Sequence, residues 1–172
     1  MGIFSKENTE AAKEKAGKAG AEFFSEPGSY VVELVKSYHG KIKNPKNANA
    51  GQEFAAITFK VVEAFSGPCI PGDERKLYYG LGFPGSESIR HQIAMRTVLE
   101  DVSSCLGISV VDLNETILDG FFEDDGAAFK GSKVKIDVTN VEKNGKTYTN
   151  HRTRSVEPAI DPSEVLAAAS EG

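Results

Sequence analysis

The spacing of apolar residues along this chain changes from a period of two to a period near 3.6 and back to two, and that order restricts the possible folds more than any other feature. Between Phe54 and Phe65, Ala55, Ile57, Phe59 and Val61 alternate with Ala56, Thr58, Lys60 and Val62, as in a strand with one face turned inward. An earlier β-branched run, Tyr30 to Tyr38, follows the Pro27-Gly28 turn, and Arg75 to Tyr79 makes a short third strand. The period then lengthens. Met95, Leu99, Val102 and Leu106 recur at helical spacing, Ile89, Ile93 and Val98 widen the stripe, and Arg90, Arg96 and Glu100 lie off it. Ser86 and Ser88 are suitable N-caps and Gly107 a suitable stop. Asp112-x-x-Glu115 opens a short second helix reaching Leu118. After Gly131 the alternation returns in Val134, Ile136 and Val138, and Asn144-Gly145 is a strong hairpin signal joining this run to Lys146–Val156.

Strand, strand, strand, helix, strand, strand is the order of a mainly β, five-stranded OB-fold-like barrel with a helix between strands 3 and 4. The 172 residues suffice for one such core. Residues 27–157 are read as the barrel domain. Residues 1–26, rich in Ala, Lys and Glu with Gly17 and Gly20 interrupting, form a flexible or helical arm, and residues 158–172 an acidic, Ala-rich flexible tail. No apolar run approaches the roughly 20 residues of a membrane helix, and the first residues do not resemble a secretory signal. Lys6 replaces the Ser or Thr of a myristoylation start. Cys69 and Cys105 stand alone, outside any Cys-x-x-Cys pair, and read as reduced thiols. The expected compartment is the cytoplasm.

A formal charge of −5 argues against a polyanionic partner until its distribution is considered. Residues 100–125 hold eight acids and no base, whereas residues 130–154 hold seven bases against two acids. Lys36, Lys41, Lys43 and Lys46 lie within another stretch free of acids, which reads largely as a loop. In a barrel of this type ligands lie across strands 2 and 3 and between the loops joining strands 1–2 and 4–5. Both loops are basic: the first carries Lys41, Lys43 and Lys46, and the last hairpin carries Lys143 and Lys146 at its tip, with Arg152 and Arg154 on its return strand. Binding of single strands also needs aromatic platforms for bases. If Leu77 points inward, Lys76 and Tyr78 point outward; if Ile57 and Phe59 point inward, Phe54 and Lys60 point outward. Tyr38 precedes the first basic loop, and Tyr148 follows the hairpin turn. On the first strand, Val31, Val32, Leu34 and Val35 leave both facings open.

Signals for catalysis are weak. Consecutive acids such as Glu123-Asp124-Asp125 project in different directions, and no further metal ligands accompany them. His39, His91 and His151 are far apart with no nucleophile motif beside them, and the glycines from Gly80 to Gly85 lack the ending of a phosphate loop. No enzymatic activity, catalytic residue, metal or cofactor is expected.

The runs Pro27-Gly28-Ser29-Tyr30-Val31-Val32, Gln52 to Gly67 ending in Phe65-Ser66-Gly67, and Gly131 to Arg154 with Asn144-Gly145-Lys146-Thr147-Tyr148-Thr149-Asn150 resemble bacteriophage single-stranded DNA-binding proteins of OB-fold type. The resemblance spans roughly residues 27 to 156. It implies sequence-tolerant binding of single-stranded DNA, with RNA as the alternative ligand, protecting replication or recombination intermediates in the host cytoplasm. The nucleic-acid-binding set expected is Lys36, Tyr38, Lys41, Lys43, Lys46, Phe54, Lys60, Lys76, Tyr78, Lys143, Lys146, Tyr148, Arg152 and Arg154. Homo-oligomers and recruitment of replication or recombination proteins through the tail are further expected partners. The competing reading is a phage structural or assembly protein built on a small β-barrel.

Overall fold

The alternating runs become long strands. In the computed structural model, which describes residues 22–171, β1 (Glu22–Phe23), β2 (Gly28–Lys41), β3 (Glu53–Ser66) and β4 (Glu74–Gly82) precede helix α1 (Ile89–Leu106). A short helix α2 (Glu115–Phe122), strands β5 (Lys133–Lys143) and β6 (Lys146–Glu157), and helix α3 (Pro162–Glu171) follow. The strands form one sheet in the order β1-β4-β3-β2-β5-β6, curled into a half-barrel. Every neighbouring pair is antiparallel except β1 with β4. Its concave side buries Tyr30, Val32 and Leu34 of β2, Ile57, Phe59 and Val61 of β3, Leu77 and Tyr79 of β4, and Val134, Ile136 and Val138 of β5. Val98, Val102, Cys105 and Leu106 of α1 close this core together with Ile117 and Phe121 of α2. No described helix is long and apolar enough to cross a membrane.

Three expectations need correction. Among the described residues there are six strands instead of five, because Glu22 and Phe23, assigned to the arm, pair in parallel with Arg75 and Lys76. Phe24, also assigned to the arm, is buried in the core cluster against Tyr30, and residues 1–21 lie outside the described residues. Among the described residues there are three α-helices, and the last is made from the expected tail. Val165 of α3 is buried in the core cluster, and the Ala159 N–H donates to Ser132 Oγ at 3.1 Å, so this segment packs instead of trailing. Finally, α1 buries only its second half, through Val98, Asp101, Val102, Ser104, Cys105 and Leu106, while Ile89, Ile93 and Met95 are exposed. Its first half meets the sheet through His91, which lies against Gly82 at the end of β4, and leaves the apolar stripe there uncovered.

Closure of the half-barrel fails between β4 and β6, which form no ladder, and α1 packs across both. Asp101, 2% exposed, does the joining. Its Oδ2 accepts from Tyr79 Oη of β4 at 2.5 Å and lies 2.6 Å from His151 Nε2 of β6, while Oδ1 accepts from Thr153 Oγ1 at 2.6 Å. Thr153 Oγ1 is also 3.0 Å from Ser104 Oγ. One carboxylate thus replaces a backbone ladder with charge-assisted bonds to both edges. Burial, then the Asp101 charge, hold the Tyr79 hydroxyl well above its ordinary pKa, so it remains a neutral donor.

Candidate nucleic-acid interface

On the outer face of β2, β3 and β4, an irregularity midway along β2 decides which of its later side chains take part. Leu34 pairs with Phe59, yet the next pair is Lys36 with Thr58, so the register passes over Val35. Such a bulge reverses the facing of every later residue on its strand. Lys36 and Tyr38 therefore point outward, and Ser37 points inward, where its hydroxyl donates to the Phe121 carbonyl at 2.9 Å. Three cross-strand rows result: Lys36, Thr58 and Lys76; Tyr38, Ala56 and Tyr78; Gly40, Phe54 and Gly80. Phe23 extends the first row through its pairing with Lys76.

The small residues in these rows let the rings lean together. Ala56 sits between Tyr38 and Tyr78, and glycines flank Phe54 on both sides. Tyr38 meets Phe54 edge to face with centroids 6.1 Å apart, Phe54 stacks on Tyr78 at 5.6 Å and 16°, and Tyr78 meets Phe23 edge to face at 6.5 Å. Four rings thus form an unbroken row over four strands, in the offset and edge geometries that aromatic quadrupoles favour. Phe23 is 52% and Tyr78 46% exposed. Two ammonium groups bracket the row: Lys36 Nζ lies 4.9 Å from the Tyr38 centroid and Lys76 Nζ 5.0 Å from the Phe23 centroid. Lys76 is only 8% exposed, and burial, then the nearby Lys36 charge, lower its pKa. Burial raises the pKa of Tyr78 and, with the Asp125 charge as the second cause, that of Tyr38.

Five residues expected at the site thus converge: Lys36, Tyr38, Phe54, Lys76 and Tyr78. Lys36 and Tyr38 belong to β2 itself, which runs to Lys41, and not to the loop. Lys60 lies on the same outer face but its ammonium is engaged by Glu33 at 3.1 Å. Lys41, Lys43 and Lys46 are exposed at and beyond the end of β2, where Asn44 and Asn47 side chains cap successive turns of the loop. Lys143 and Lys146 flank a turn in which Asn144 and Gly145 both take positive φ, as the dipeptide predicts. Tyr148, 49% exposed, pairs with Val141 and touches no other ring among the described residues, so it is not part of the row. Arg152 and Arg154 pair with Asp137 and Lys135 on the β5–β6 ribbon.

Sequence reasoning missed Phe23 on this face, and it gave no place to Arg90 and Arg96, which line a neighbouring cleft. Where β4 and β6 part, a solvent-open cleft of about 1350 Å³ runs beside the aromatic row, and Phe23, Lys76 and Tyr78 line both. Arg90 and Arg96 enter it from α1 and Arg152 from β6. The signal for the two helix arginines was their place off the apolar stripe, which reads equally as an ordinary solvated face. Glu123-Asp124-Asp125 lies in an irregular turn near β2, with Asp124 and Asp125 at positive φ. Among the described residues no three His, Cys, Asp or Glu side chains are placed to hold a metal ion. No protein-family model and no curated protein matches the chain.

Proposed function

We propose that this chain binds single-stranded nucleic acid, DNA in the first place, across the outer face of β2, β3 and β4 without sequence preference. The row of four rings between two lysines carries this reading. Bases present a π-face whatever their identity, and each base stacked on an aromatic side chain contributes about 1–3 kcal/mol. Lys36 and Lys76 stand where phosphates of a strand laid along the rings would pass, and the exposed lysines at the end of β2 extend the same charge. The strand order supports a barrel of the OB type left open on one side, and in such barrels this face is the ligand face. Protection of phage replication or recombination intermediates is the role the sequence resemblance adds.

Titration of a fluorescently labelled oligo-dT, followed by anisotropy and repeated with a duplex of equal length, tests the proposal. Tighter binding of the single strand is expected, because duplex bases are unavailable for stacking. Its log K should fall against log salt by about 0.7 per phosphate neutralised. Failure to bind the oligo-dT, or equal affinity for the duplex, would overturn it.

A further inference from the structure

The face just described ends at β4, but its chemistry does not. Beyond Tyr78 and Phe23 the surface falls into the cleft between β4 and β6, whose far wall is the face of α1 that runs from Arg90 to Ser104. We propose that this cleft is a second subsite for the same strand, in which Arg90, Arg96 and Arg152 hold phosphates of the nucleotides that follow those on the aromatic row. The inference rests on the single-strand reading of that row.

Several observations support it. The two surfaces are continuous, since Phe23, Lys76 and Tyr78 line both. The charge is right for phosphates: Lys76, Arg90, Arg96 and Arg152 face the cleft against Glu100 and Asp137, a positive balance on a chain whose formal charge is −5. Arg96 is tied to Glu100 only at 3.9 Å in an exposed pair, which a phosphate can displace at little cost, and Arg90 has no acidic partner among the described residues. Guanidinium groups suit phosphate because their planar fork makes paired hydrogen bonds to its oxygens. A volume of about 1350 Å³ exceeds the roughly 300–1,000 Å³ of small-molecule pockets, as an extended ligand requires. The floor is cross-linked, since Asp101 bonds to Tyr79, His151 and Thr153 beneath it. Exposed Ile93 on the wall adds an apolar contact that a base can cover.

The test compares two oligo-dT lengths, about 5 and about 15 nucleotides, bracketing the range of single OB-type sites, on the wild-type chain and on the double variant Arg90→Ala, Arg96→Ala. Both side chains are exposed, so the melting temperature should stay within a degree or two and certify the fold. The wild type should bind the longer strand at least tenfold more tightly than the shorter. The variant should lose most of that gain, bind the short strand within about twofold of wild type, and show a salt slope on the long strand shallower by about 1.4, two phosphates' worth. A variant that keeps the full length advantage, one that loses affinity equally for both lengths, or a wild type with no length advantage overturns the second subsite and leaves the aromatic face standing. A wild type that binds neither oligonucleotide overturns the single-strand reading itself.

Discussion

Replacing Asp101 tests the device that holds the sheet in its half-barrel form. In Asp101→Ala, Tyr79 Oη and Thr153 Oγ1 lose acceptors at 2.5 and 2.6 Å, and His151 Nε2 loses its partner at 2.6 Å. Hydrogen bonds to a charged group contribute about 1.5–3 kcal/mol each, but the three share one carboxylate and do not add, and removing it also relieves its desolvation. Breaking a buried charged network from one side costs about 3–5 kcal/mol. At about 2–4 °C per kcal/mol for a domain of this size, the melting temperature should fall by roughly 6–20 °C. Asp101→Asn separates shape from charge. An amide oxygen in the place of Oδ2 still accepts from Tyr79 and His151, and its NH₂ can donate to the Thr153 hydroxyl, so the expected loss is only about 1–2 kcal/mol. Thermal and urea melts followed by circular dichroism provide the measurement. If the Ala variant melts within 2 °C of wild type, the network does not hold the seam; if the Asn variant is as unstable as the Ala variant, the charge and not the bonding pattern is what matters.

Tyr78→Ala should weaken oligo-dT binding by about 1–3 kcal/mol, roughly 5- to 150-fold, and cost stability only the two ring contacts, about 1–2 kcal/mol; normal binding by a folded variant would remove this ring from the site. Phe59→Ala, on the concave face, should do the reverse, losing about 3–5 kcal/mol of stability, with wild-type affinity wherever the chain is folded. Lys76 carries a pH signature. Its pKa in the fold lies below the ordinary 10.5, so near neutral pH its charge costs stability, and that cost is relieved as pH rises through the lowered value. A phosphate beside the ammonium favours the charged form, so binding between the lowered value and 10.5 should take up a proton. Calorimetry in two buffers of different ionisation enthalpy reads this directly, and equal heats after correction for the buffers would show that no phosphate reaches Lys76.

How much of this was legible depended on whether parity survived along each strand. On β4 and on β3 as far as Val61 it did: alternation alone placed Phe54, Lys76 and Tyr78 on the outer face. On β2 it did not, because the bulge at Val35 changes the facing midway and no residue type announces it. Phe23 was hidden for a different reason. A two-residue strand has no periodicity, and its order comes from pairing with β4, not from propensity. Asp101 lay within a run of eight acids from residue 100 to residue 125, where nothing separates a buried acid from its solvated neighbours. α3 was misread as a tail because short Ala-rich helices depend on tertiary contacts, here those of Val165, which composition does not display.

The open seam and the proposed binding face have a common cause. Had β6 paired with β4, its backbone would occupy the space beside Tyr78, and the aromatic row would end against a closed wall. Because α1 bridges the gap with side chains instead, β4 remains an edge beyond its short pairing with β1, and the row opens into the arginine-lined cleft. The opposite end of the row is electrostatically different. Asp125 is near enough to raise the Tyr38 pKa, so the acidic turn faces the β2 end while Lys76, Arg90 and Arg152 face the β4 end. At the β2 end the Asp125 charge is set against Lys36 and the exposed lysines beyond β2, whereas the cleft end is mainly basic, and charges on this surface act within the Debye length of about 8–10 Å at physiological salt. The eight acids that give the chain its negative charge therefore do not argue against a nucleic-acid partner. Of these eight, Asp101 is buried and holds Tyr79, His151 and Thr153 together beneath the cleft, so it adds nothing to the surface a polyanion would meet.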